Sequence, residues 1–382
     1  MPIEASPNER AGPKRYAALD TWRFIAALGV VAYHFENNFA SVATTASHRL
    51  SNFGYFVDFF FVLSGFVLMH TYGSKINSVN AYRDFMQKRL ARVYPLHALM
   101  TIVFAAIAIY VAMAGVKLRD PGTMDTALIA PHLLLIHAWG VGAVGLHAQP
   151  GLNFPSWSIS AELFVYLLFP LLAAILIRWG ARSALVLALL FAAIMEFIRI
   201  QSGLRSFTDA TWDFGMLRAV PTFFAGMAIQ QIVTNMPRIR ISWWLPHGFM
   251  ALIFAMLWFH VPIYAVLCSF VFAVGLIAAA ERGRASSILQ HRCCIPLGDS
   301  SYAVYLLHTA FQVATLAIAR KMGWSSWPEL IALGAITTIL IIATSMLCYT
   351  YFENPMRRFF SRPASQWFAP KAVTTPTPSA QT

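Results

Sequence analysis

Apolar runs of about 20 residues follow one another along most of the chain, at 19–39, 53–72, 95–115, 127–146, 157–177, 183–200, 214–234, 243–260, 262–280, 297–319 and 329–352. Each approaches the ~20 residues that a helix needs to cross a bilayer. The runs are continuously apolar, without the alternation of barrel strands, so the expected fold is all-α: a polytopic transmembrane helical bundle. The polar stretches between them set the orientation. The loop 73–94 carries Lys75, Arg83, Lys88, Arg89 and Arg92 against Asp84 alone, and the C-terminal stretch carries Arg357, Arg358, Arg362 and Lys371. Cationic loops stay on the cytoplasmic side, so both termini are expected there, which requires an even number of crossings. With eleven runs in hand, about ten spans are expected, with eleven as the alternative. The run 127–146, interrupted by Pro131, His132, His137 and glycines, is the one expected to be re-entrant or interfacial; 183–200, with Glu196 and Arg199, is the alternative.

Composition agrees with that pattern. Of 382 residues, 58% are hydrophobic and 12% charged, against a globular norm of roughly 45–50% and about 25%, and the mean hydropathy is +0.60. A net charge of +12 would suit nucleic acid, but Lys and Arg fall in short clusters between apolar runs, which is the membrane pattern instead. The four cysteines show neither a CxxC spacing nor a disulfide framework. Residues 1–18, with Pro2, Pro7 and Pro13 and no short apolar core, read as a disordered cytoplasmic tail, as do residues 361–382; between them, 19–360 reads as one transmembrane domain.

Several runs carry ionisable groups, and such residues inside a membrane segment are costly enough to be functional candidates. Arg23 and His34 lie eleven residues apart in the first run, within ~20° of one helix face and ~16 Å apart along it. They are expected to face one space at different depths, unless Arg23 merely snorkels and His34 is hydrated at the helix end. Asp58 lies in an aromatic run and shares a face with Gly65, while Ser64 and Gly65 would let a neighbouring helix approach closely. Arg89 and Arg92, at i and i+3, could hold phosphates or simply anchor the helix; Pro95 is expected to delay helical entry until the apolar run begins. At the start of the fifth run, Trp157 and Ser158 lead to Glu162, and the i, i+4 spacing predicts a Ser158–Glu162 pair. Ser301, Tyr305 and His308 share one stripe, and Glu353 is expected to pair with Arg357 after Pro355 ends the last helix. His132, His137 and His147 lack metal-ligand spacing, and no metal is expected.

Taken in order, these pieces resemble the membrane-bound acyltransferase family 3, bacterial O-acyltransferases that modify polysaccharides, lipopolysaccharide, Nod factors and some macrolides. The resemblance spans about residues 16–360: Leu19-Asp20 with Arg23 and His34, Asp58–Phe66, Arg89 with Arg92, Trp157-Ser158 through Glu162, Tyr305–His308, and Glu353-Asn354-Pro355 with the arginines that follow. The chain departs from common forms at Trp22 and Phe24. The resemblance implies a bundle of about ten crossings in a bacterial cytoplasmic membrane, with acyl-CoA, usually acetyl-CoA, as donor and a carbohydrate or envelope glycan as acceptor. It implies His34 as the essential histidine, Arg23 as its partner, and Arg89 with Arg92 as the paired arginines of the donor site. Asp58 and Glu162 match recurrent acids, here expected to be catalytic; Ser64, Trp157, Ser158, Tyr305 and His308 are expected to support substrate or structure. The resemblance brings no hydrolase-like extracytoplasmic domain, so transfer is expected to be completed by this chain or by a separate protein. His34 could act as general base or as acyl-carrying nucleophile, the former favoured. The competing class is a proton-coupled transporter or flippase using the same buried groups, against which no inverted repeat is visible and the arginine pair has no task.

Overall fold

A computed structural model describes residues 15–114, 125–140, 151–204 and 206–362. Twelve α-helices make up the described fold: α1 (Ala17–Phe39), α2 (Phe56–Tyr72), α3 (Val79–Met113), α4 (Ile129–Leu133), α5 (Trp157–Trp179), α6 (Ala181–Ser202), α7 (Gly215–Asn235), α8 (Trp244–Trp258), α9 (Ile263–Arg282), α10 (Ile295–Met322), α11 (Trp327–Cys348) and α12 (Asn354–Phe360). Among the described residues, seven helical stretches are long and apolar enough to cross a membrane, which makes this a multi-pass membrane protein. That number does not fix the expected count of about ten. Helices α1 and α6 have the length, 23 and 22 residues, but each carries charged side chains. Between Asp125 and Gly140 the chain forms a 3-10 turn over Thr126–Leu128 and the five-residue α4, together too short to span. Residues 141–146, His147 and the tails 1–14 and 363–382 lie outside the described residues.

Two helix boundaries differ from expectation, both at proline. Helix α3 runs uninterrupted through Pro95. A proline inside a membrane helix is tolerated where neighbouring helices pack against it, and here α10 lies alongside, the Tyr302 hydroxyl donating to Val93 O two residues before the proline. Likewise, Pro355 does not end the last helix. A π-turn over Tyr349–Glu353 hands the chain to α12, where Pro355 occupies the first turn and needs no N–H partner. At the other end, helix begins at Ala17, inside the stretch expected to be tail; the Ala18 N–H donates to the Glu281 carboxylate at 2.6 Å.

The core is assembled around α2, which packs along α7, while α1 packs along α10 and α10 along α11. The α2–α7 contact is backbone on backbone. A Cβ at Gly65 would stand 1.9 Å from Phe223 O, and one at Gly226 would stand 2.0 Å from Val62 O. Small residues at such crossings let the helices gain contact that lipid cannot supply. Phe56, Phe59, Phe66, Phe223 and Phe224, all fully buried, fill the space around it.

Gly65→Ala and Gly226→Ala are therefore expected to destabilise the folded protein by ~1–3 kcal/mol or more, despite the ~1 kcal/mol that alanine adds in helix propensity. Gly248→Ala in α8, where a Cβ would meet nothing within 4 Å, should be neutral or stabilising. Thermal unfolding of the three variants in detergent checks this; equal melting temperatures would remove the close-approach argument.

Candidate active site

One cavity of about 110 Å³ opens among α1, α2, α3, α5 and α10. Its cationic end holds Arg23, Arg89 and Arg92, with Asp20 and Glu162 as the lining carboxylates. Its walls are largely apolar, with Leu19, Ala27, Val57, Phe60, Leu63, Val67 and Ile159. At the opposite end lie Ser158 and Tyr305.

Each arginine is held differently. Arg23 Nε donates to Ser301 Oγ at 2.8 Å and its terminal nitrogen to Gly298 O at 2.9 Å, with Asp20 at 3.7 Å. Arg89 lies over the Tyr72 ring at 5.1 Å and leaves its buried Nε without a partner. Arg92, half-buried, makes no hydrogen bond or ion pair among the described residues. Guanidinium groups with donors to spare suit an anion that can take a planar fork, such as a phosphate.

Glu162 takes its hydroxyl partner from another helix. Ser64 Oγ donates to Glu162 Oε1 at 2.6 Å, whereas Ser158, the expected i, i+4 partner, bonds Tyr305 Oη at 2.8 Å and Pro155 O at 3.2 Å. The i, i+4 spacing places Ser158 and Glu162 on one face, but α2 and α10 supply nearer partners. Glu353 is buried with one oxygen unpartnered, and Arg357 bonds Asn354 Oδ1 instead, so the expected Glu353–Arg357 pair is not formed.

Arg23 and His34 do not share the cavity. Arg23 lines it, while His34 lies past the Ser158–Tyr305 end, half-buried. Its ring meets Phe154 edge-on at 4.4 Å and stacks on His308 at 5.3 Å, the planes 15° apart. His308 is fully buried, neither ring nitrogen makes a hydrogen bond of normal geometry, and its ring lies 5.9 Å from that of Tyr305. The two imidazoles thus adjoin the closed end of the cavity.

Asp58, expected among the catalytic acids, does not line the cavity. It is wholly buried in a bidentate ion pair with Arg218 of α7, at 2.6 and 3.1 Å. Trp157 covers this pair, with the Arg218 guanidinium 4.9 Å from its ring centre, and is likewise outside the cavity lining. Arg218 escaped the sequence reading, although an arginine inside an apolar run carries the same signal as Asp58. A second cluster also escaped it. The parallel rings of His132 and His137 stand 3.8 Å apart, with His97 5.8 Å from His137. Its role is visible in its contacts: His137 Nε2 meets Ser156 Oγ at 3.1 Å, and Asn153 Nδ2 donates to Leu306 O at 3.2 Å, which fixes the Phe154–Ser156 turn against α10. Among the described residues, no group of side chains is arranged to hold a metal.

Comparison with known proteins bears on what such a site serves. Residues 16–346 match the acyltransferase domain of family 3, and the chain belongs to that family. It is similar to the acyltransferase MdmB of Streptomyces mycarofaciens, 27% identical over 95% of this chain and 97% of that protein. Protein 2 in the picA locus of Rhizobium radiobacter is 35% identical over 49% of this chain and 93% of its own length. The putative peptidoglycan O-acetyltransferase YrhL of Bacillus subtilis (strain 168) is 28% identical over 48% of this chain and 28% of its own. No solved structure matches.

Breaking the Asp58–Arg218 pair from one side leaves a buried charge unpaired. Asp58→Ala or Arg218→Met alone is expected to cost ~3–5 kcal/mol, and Asp58→Leu with Arg218→Met to recover much of it. Detergent unfolding midpoints of single and double variants measure this. Turnover per folded molecule of the double variant within a few-fold of wild type would assign Asp58 to the scaffold; its loss, with stability restored, would return Asp58 to the chemistry.

Proposed function

We propose that this acyltransferase moves an acyl group, acetyl in the simplest case, from acyl-CoA to a hydroxyl of a carbohydrate or cell-envelope glycan. The observation that carries the reading is the polarity of this cavity: a cluster of guanidiniums at one end, apolar walls, and hydroxyls beside two imidazoles at the other. That sequence of environments matches a donor with phosphates at one end, a flexible arm, and a thioester at the other. Arg89, Arg92 and Arg23 would hold the phosphates, and Glu162 with Ser64 would order the arginines and the arm between them. His34, the half-buried imidazole beyond the closed end, would take the proton of the acceptor hydroxyl. A putative peptidoglycan O-acetyltransferase among the relatives supports a glycan acceptor.

The same reading places one acyltransferase domain over residues 19–360 in a bacterial cytoplasmic membrane, with both termini and the arginine-bearing loop before α3 inside. Donor phosphates would then be met from the cytoplasm, where CoA esters are made, and His34 would lie deeper, towards the far side. Release of CoA from labelled acetyl-CoA by the purified protein separates this reading from a transporter, which would leave the thioester intact.

Two variant sets test the assignments. Arg89→Ala with Arg92→Ala should raise the KM for acetyl-CoA far more than that for the acceptor, since each charge-assisted contact contributes ~1.5–3 kcal/mol; an unchanged donor KM in folded protein would sink the donor site. His34→Gln keeps size and hydrogen bonding but cannot exchange a proton near neutral pH. It is expected to lose ~10²–10⁴-fold in turnover, and activity within a few-fold of wild type would refute the role.

A further inference from the structure

The closed end of the cavity is made of two hydroxyls aimed at one oxygen. Ser158 Oγ and Tyr305 Oη lie 2.8 Å apart, and both reach the carbonyl oxygen of Pro155, at 3.2 and 2.9 Å. Both side chains are buried and both line the cavity. Each hydroxyl has a single proton to donate, so the two converge on one acceptor that needs only one of them. Their positions are well fixed. Ser158 sits in the first turn of α5, and the Tyr305 ring stands edge-on to Phe60 at 5.8 Å.

An acyl transfer needs this arrangement at its most costly point, where negative charge gathers on the carbonyl oxygen. Donors set in advance ~2.7–3.1 Å from that oxygen, in a site from which water is excluded, are typically the largest single contribution to such catalysis. The placement fits the rest of the site. Cavity residues on α2 run from Val57 to Leu68, about 16 Å at the helical rise of ~1.5 Å per residue, a depth comparable with the extended arm of a CoA thioester. A donor held by the arginines would bring its carbonyl to the Ser158–Tyr305 end. There His34 packs on Phe154, the residue before Pro155, and His308 lies between His34 and Tyr305.

We infer that Ser158 and Tyr305 are the oxyanion donors of the transfer, catalytic residues whose hydroxyls turn from Pro155 O to the thioester carbonyl oxygen. The inference rests on reading the cavity as the donor site. In the step it describes, the acceptor hydroxyl oxygen bonds to the thioester carbon while its proton passes to His34. The carbonyl π pair moves onto the oxygen, which accepts hydrogen bonds from Ser158 and Tyr305. Collapse restores the C=O bond and breaks the C–S bond, and the departing thiolate takes the proton from His34, leaving an ester and free CoA.

The test uses the full-length protein in detergent and follows CoA thiol released from acetyl-CoA, with water or an added muropeptide as acceptor. Tyr305→Phe removes one oxygen and keeps the ring packing; it should lower kcat by ~10²-fold or more, with the KM for acetyl-CoA within about three-fold. Ser158→Thr and Ser158→Val differ only in hydroxyl against methyl, so they share any steric penalty. Threonine should retain most turnover and valine should lose it, and the Tyr305→Phe/Ser158→Val double variant should lose less than the product of the two, because one oxygen position is shared. Tyr305→Phe with kcat within three-fold of wild type, or valine equal to threonine, overturns the assignment. His34→Gln in the same assay separates the failures. An inactive His34→Gln beside a fully active Tyr305→Phe removes only the oxyanion donors; full activity in His34→Gln removes His34 as the base, and wild-type protein that releases no CoA removes the donor-site reading itself.

Discussion

Asp58 and Arg218 form a two-pronged ion pair with side-chain exposures of 0% and 3%, and the interior of the bundle is arranged around it. A pair so deep gains its stability only if its geometry is good and its remaining donors are used. Both conditions are met, since Arg218 also donates to Thr208 O and carries Trp157 on its face. The consequence is positional. The pair ties α2 to α7 close to where Gly65 and Gly226 bring the two backbones together, so α2 cannot slide or rotate on its neighbour. Its opposite face, with Val57, Phe60, Ser64 and Val67, becomes a fixed wall of the cavity.

Against that wall the other helices are each set by a different force. Helix α1 lies on α10, where Gly298 brings α10 within about 3.0 Å, at Cβ distance, of the Asp20 backbone and Arg23 reaches the Gly298 carbonyl and the Ser301 hydroxyl. Helix α3 brings Arg89 and Arg92 to the mouth, and Tyr302 supports the carbonyl of Val93 near its proline. The cost of keeping three guanidiniums in a membrane bundle is reduced by Asp20, Glu162 and the Tyr72 ring, with the buried Glu353 carboxylate also near Arg92 and Arg23. A bound polyanion would meet the donors that these guanidiniums leave unused, Arg89 Nε among them.

The opposite end depends on a short irregular segment. The Phe154–Ser156 turn places Phe154 on His34 and the Pro155 carbonyl on Tyr305, and it is held from behind by the imidazole stack through Ser156 and by Asn153 on α10. Buried, parallel histidines of this kind act here as packing and hydrogen-bonding material, and none of them lines the cavity. They brace the single 3-10 turn of Phe154–Ser156, from which Pro155 O meets the two hydroxyls.

Fold class, approximate helix boundaries, the membrane setting and the family were all legible in the chain. Run length, apolarity and the order of short motifs are local properties, and each helix carries them whether or not its neighbours are in place. The cationic character of Arg23, Arg89 and Arg92 was legible for the same reason. Partnership was not. Spacing at i, i+4 puts Ser158 and Glu162 on one face, yet the hydroxyl that reaches Glu162 belongs to Ser64, and the cation that neutralises Asp58 lies 160 residues away in α7. Nor could spacing reveal that Arg23 and His34, on one face of α1, end differently placed, Arg23 lining the cavity and His34 just beyond its end, where Ser158 and Tyr305 come in from two other helices. Even Pro95 and Pro355 follow this division: whether a proline ends a helix depends on the helices packed beside it and on whether the chain can form a wider turn. A single helix specifies its own faces, and only the close approaches between helices, at Gly65, Gly226 and Gly298, decide what each face meets.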